Sequence, residues 1–107
     1  MKGMSKTSLE KIRDRYADFF ELPGDRMVFE KIVELIDNMV DTAVSDIGVI
    51  TKLMVLSDAE RAVEVFADFY RRCIPPTIVN NLAEDLKWVV EKARETATVL
   101  WLEGQRK

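Results

Sequence analysis

Between Asp25 and Leu56 the chain carries two opposed stripes, one apolar and one acidic. Ile32, Leu35, Ile36, Met39, Ala43, Ile47, Ile50 and Met54 fall on one side at helical spacing. Glu30, Glu34, Asp37 and Asp41 stand at i, i+4, i+7 and i+11 on another. Residues so spaced share a face of an α-helix, so the pattern predicts a long amphipathic helix laid on a helical core. Ser45-Asp46-Ile47-Gly48 interrupts it. Glycine in a helix interior costs about 1 kcal/mol relative to alanine, and Asp46 falls inside the apolar arc. The expectation is one long helix with a local irregularity, the alternative a kink or restart. In a continuous helix Asp46 would be a half-buried polar group, able to fix register in a helical assembly.

Three more segments read the same way. Thr7-x-x-Glu10 has the form of a capping box, followed by Leu9, Ile12, Tyr16, Phe19 and Phe20 on one face, with a stop near Leu22 ahead of Pro23-Gly24. Asp25 is then available to cap the second helix. Ser57-x-x-Glu60 is a second capping box, opening a third helix whose apolar face is Ala59, Ala62, Val63, Phe66, Phe69, Tyr70 and Cys73. Pro75-Pro76 ends it. A fourth helix is expected from Thr77 to Glu103, striped by Ile78, Val79, Leu82, Leu86, Val89, Val90, Ala93, Ala97, Leu100 and Trp101. Valine is abundant but falls at helical spacing rather than in alternation. The predicted fold is all-α: a single domain over residues 1–107, an antiparallel bundle of about four helices with the second and fourth longest.

Composition narrows the chemistry. The 107 residues are 48% apolar and 33% charged, as expected of one folded domain with a core of its own. Net charge is −3, which argues against a dedicated DNA-binding module. Histidine is absent, so triads and every His-ligated metal site are excluded. Cys73 is the single cysteine, so an intramolecular disulfide is excluded and a reducing, cytoplasmic setting is expected. On the apolar face it reads as a small buried hydrophobe. No run of residues is apolar enough to span a bilayer, and Met1–Thr7 lacks the apolar centre of a signal peptide.

Candidate sites are few. The row Glu30, Glu34, Asp37 and Asp41 offers hard oxygen ligands suited to Mg²⁺, and Glu34-x-x-Asp37 is superficially similar to part of the carboxylate pattern of all-α nucleotide pyrophosphatases. No matching pair is evident on another helix, so a solvated face or a contact with a basic partner is the expectation. Trp88, Val99 and Leu102 lie off the main stripe of the fourth helix among Glu84, Glu91 and Glu95, as an aromatic-centred partner surface would. The competing reading covers Trp88 within the monomer. Trp101, on the main stripe, is expected in the core. Lys11, Arg15, Arg71 and Arg72 are candidate phosphate contacts.

No Gly-rich phosphate loop, zinc-ligand spacing or nucleophile elbow occurs. No catalytic residue, metal or cofactor is therefore expected. The leading expectation is a non-enzymatic interaction or assembly module, homo-oligomeric or a small subunit of a larger complex, with a protein partner and no membrane. The alternative is an accessory subunit contacting nucleic acid in a nucleoprotein complex. A Mg²⁺-dependent hydrolase built on helix-borne carboxylates comes third.

Overall fold

The computed structural model describes residues 2–45 and 48–105, with side chains from residue 8 to residue 104 within those spans. Four α-helices carry the chain: α1 Lys2–Tyr16, α2 Pro23–Ala43, α3 Val49–Tyr70 and α4 Pro76–Gln105. They contain 15, 21, 22 and 30 residues. No strand occurs among the described residues. Short connections make successive helices antiparallel. α3 packs broadly against α2 and α4, and α4 closes the bundle against α1. The result is a rod, 51 × 23 × 21 Å.

The core is one continuous cluster drawn from every helix. Leu9 and Ile12 come from α1; Phe29, Ile36 and Val40 from α2; Leu56, Val63 and Phe66 from α3; Leu82, Leu86, Val89 and Val90 from α4. At one end Phe20 stacks on Phe29, with ring centroids 4.5 Å apart, and meets the edge of Tyr70 at 5.2 Å. Phe66 joins the same group beside Tyr70.

Helix boundaries depart from the sequence signals at both ends of α1 and at the start of α2. α1 is already helical at Lys2, so Thr7 lies inside it rather than at its start. It ends at Tyr16 and gives way to a 3-10 turn, Ala17–Phe19. That change of pitch buries Phe20 and turns Phe19 outward. Arg26 holds the turn from α2, donating through Nε to the Phe20 carbonyl and through Nη2 to that of Ala17. α2 starts at Pro23, whose missing N–H costs nothing at a first helical position. Asp25 consequently makes no cap and accepts a hydrogen bond from Tyr70 instead.

The expected long second helix is two helices. α2 ends at Ala43, and α3 begins at Val49 behind an extended Gly48 (φ −63°, ψ 149°). Ser57 therefore sits in the middle of α3, not at its cap. The break is secured by a residue to which no sequence signal pointed. Lys52 is buried, and its ammonium donates to the carbonyls of Ala43 at 2.8 Å and Ser45 at 2.5 Å. The last carbonyls of a helix lack internal partners and carry negative partial charge, so a cation there satisfies both needs. Asp46 and Ile47 lie outside the described residues.

Candidate functional site

Splitting the long pattern reorients its residues. Leu35, Ile50 and Met54 were expected on the core stripe, yet all three are exposed. Phe69, expected on the apolar face of the third helix, is exposed as well. α2 and α3 bury one stripe each and leave a second apolar strip on the outside. Between them runs an open groove of about 1030 Å³, lined by Val28, Ile32, Leu35 and Met39 from α2 and by Ala62, Val65, Phe66 and Phe69 from α3. Lys31, Asp25, Asp58 and Arg61 stand around its rim. Phe69 meets Tyr70 edge to face, with ring centroids 4.9 Å apart. Apolar side chains gathered in a concave, charge-rimmed strip have the composition of a helix-docking surface. Sequence reading missed this site because it assigned Leu35 and Phe69 to the core and singled out neither Val28 nor Val65.

The acidic row lies elsewhere. Glu30, Glu34 and Asp37 border a narrower groove between α2 and α1, where Glu10 and Arg13 face them. Asp37 and Asp41 are half-buried rather than turned straight out to solvent, and one oxygen of each has no hydrogen-bond donor among the described residues. Glu34 meets Lys31 at 3.7 Å. Among the described residues, no three carboxylate or thiol side chains converge as metal ligands would.

Trp88, Val99 and Leu102 are all exposed on one side of α4. Trp88 is 52% exposed, and Lys92 lies 5.6 Å from its ring centre, a cation–π distance. The surface beside it is more ionic than the sequence implied. Arg94 bonds Glu60 of α3 and Glu91 of its own helix, and Lys87 pairs with Glu64. The Glu60 hydrogen bond, ahead of the opposing effect of burial, holds the Arg94 guanidinium above its ordinary pKa. Glu91 is thus an internal partner of Arg94, not a free member of an acidic ring.

Trp101 departs from expectation. It is 40% exposed, because α4 outruns its neighbours and its last buried side chain is Ala97. Cys73 is exposed too, since α3 ends at Tyr70 and the turn beyond leaves the helical register.

The four candidate phosphate contacts fall on opposite flanks of α4. Lys11 and Arg15 border the α1–α4 seam, where Arg15 meets Asp85 at 3.1 Å. Tyr16 donates to the same carboxylate at 2.7 Å. Burial first, then the Asp85 hydrogen bond, raises the Tyr16 pKa. Arg71 bonds Asp68 on α3 and Asn80 on α4, while Arg72 is exposed.

No helix among the described residues is long and apolar enough to cross a membrane. Comparison with family models, curated proteins and solved structures gives no match to this chain.

Proposed function

We propose that this four-helix domain is an interaction module that docks a protein partner along the α2–α3 groove. One observation carries the reading: Val28, Leu35, Val65 and Phe69 stay exposed along a continuous apolar strip, although the chain has a complete core without them. Leaving such a strip in water is unfavourable by roughly 25 cal/mol for each Å² a partner would cover. The contact belongs either to a homo-oligomer or to a subunit of a larger complex. Trp88, Val99 and Leu102 form a second, smaller surface for the same kind of contact. The acidic row beside α1 suits a basic segment of a partner.

The nucleic-acid reading has less support, because Arg15 and Arg71 are already held by Asp85, Asp68 and Asn80. The experiment is to follow the full chain in a native extract of its own cells by size-exclusion chromatography. Wild type should elute well above 12.3 kDa, and a Val65→Asp, Phe69→Asp variant should return to the free-chain position. Wild type eluting as the free chain would refute the proposal.

A further inference from the structure

Six residues on the outward face of α3 form a set that reads the same in both directions, with Thr51 and Asp68 at the margins of the same arc. Ile50, Met54, Asp58, Arg61, Val65 and Phe69 are spaced four, four, three, four and four residues apart. Projected on the helix they occupy an arc of about 100°, opposite the buried stripe of Leu56, Ala59, Val63 and Ala67. All six are exposed; Ile50, Met54, Val65 and Phe69 by 70%, 62%, 65% and 58%. The stripe is symmetric about the midpoint between Ala59 and Glu60. Equidistant from that point stand Ile50 and Phe69, Met54 and Val65, and Asp58 and Arg61. Each apolar residue is mirrored by another, and the acid is mirrored by the base.

We infer that the occupant of this face is a second copy of the chain, joined by antiparallel pairing of α3 with its own copy about a two-fold axis between Ala59 and Glu60. The inference rests on the α2–α3 surface being a docking site and names what docks there. In an isologous interface every contact occurs twice, once on each side of the axis. Here Asp58 meets Arg61 of the partner subunit, and Arg61 meets Asp58 of the partner subunit. Met54 packs on Val65 of the partner subunit, and Ile50 on Phe69 of the partner subunit, in both directions. The stripe spans twenty residues, a rise of about 29 Å at 1.5 Å per residue, long enough for several layers of helix–helix packing.

Charge supports a second copy over an unrelated helix. Among the described residues neither Asp58 nor Arg61 forms an ion pair within its own chain, although the adjoining α3–α4 seam carries two, Glu64 with Lys87 and Glu60 with Arg94. A parallel α3 pair would set Asp58 against Asp58 of the partner subunit and Arg61 against Arg61 of the partner subunit. The antiparallel pair is the arrangement in which both charges are met. Val28 and Leu35 of α2, along the groove wall, then flank the partner helix.

The test exploits the mirrored charges. Purified wild type, measured by light scattering across a concentration series, should have twice the 12.3 kDa chain mass. Asp58→Arg alone sets arginine against arginine at both ends of the axis, and Arg61→Asp alone sets aspartate against aspartate. Like charges opposed across an interface are strongly unfavourable, so each variant should dimerise at least about 100-fold more weakly than wild type. Mixing the two variants restores both opposite-charge pairs and should restore a dimer. The double variant D58R/R61D should dimerise alone. Circular dichroism of each variant checks that helicity is kept.

A wild type that stays monomeric at every concentration overturns the second copy. The docking surface then stands or falls on the extract experiment with Val65→Asp, Phe69→Asp. A dimer indifferent to both single reversals, or one that mixing does not rescue, overturns the antiparallel register.

Discussion

A few polar side chains settle features that the apolar stripes leave open. Lys52 is the clearest case. Its ammonium answers the Ala43 and Ser45 carbonyls at the end of α2, and its methylenes run through the interior. Lys52→Met keeps the stem and removes the donor. Leaving a buried acceptor without a partner costs about 1–3 kcal/mol, so the variant should lose about 2 kcal/mol or more of stability in denaturant unfolding. Tyr70 makes a second such contact, its hydroxyl donating to Asp25 at 3.1 Å. Burial first, then the Asp25 carboxylate, pushes its pKa up to about 12 from an ordinary 10. Between those values the unfolded tyrosine releases its proton while the folded one keeps it, so the folded state binds more protons and stability falls as pH rises. The contribution is complete below pH 10 and lost by about pH 12. Urea midpoints measured across that window should decline, and Tyr70→Phe should flatten the decline. Tyr16 adds to it with the same sign.

The α2–α3 junction shows how an element boundary is decided. Gly48 occupies the N-cap of α3 in an extended conformation, makes no side-chain cap, and has open space where a Cβ would stand. Serine adopts that conformation readily and its hydroxyl can accept from the first turn of N–H groups. Gly48→Ser also removes conformational freedom from the unfolded chain. Together these should stabilise the protein by about 0.5–1 kcal/mol, read as a raised thermal midpoint. A lowered midpoint would mean that the junction needs glycine for another reason. The sequence-level expectation of a continuous helix had weighed Gly48 as a cost inside a helix, whereas the residue stands at the start of one.

For the molecule as a whole, the decisive property is an apolar strip left outside a finished core. If α3 pairs with its own copy, dimerisation and folding are linked, and mass action raises the apparent stability with protein concentration. Thermal midpoints should climb over a hundredfold concentration range for wild type and stay level for Asp58→Arg. A wild-type midpoint independent of concentration would count against self-association.

Periodicity alone determined the all-α class, four helices and most of the buried set. Ile36, Ala43, Val63, Leu86 and Val90 are core residues in both the pattern and the structure, because burial of a helix face requires apolar residues at that spacing wherever the helix packs. The breaks at Pro23-Gly24 and Pro75-Pro76 were legible for a similar reason: proline limits the local backbone whatever surrounds it. The Thr7 and Ser57 boxes misled, since a serine or threonine caps only where the chain is leaving an extended conformation, and both positions lie within running helices. Which of two apolar stripes on α3 faces inward, and hence that Ile50, Met54, Val65 and Phe69 form a surface, was decided by tertiary structure. Both stripes fall at helical spacing, and the outer one carries Asp58 and Arg61 at its centre. Only the placement of α2 and α4 selects between them. The ends of the rod follow the same logic: Trp101 sits on the right face of α4, but no neighbouring helix reaches far enough to cover it.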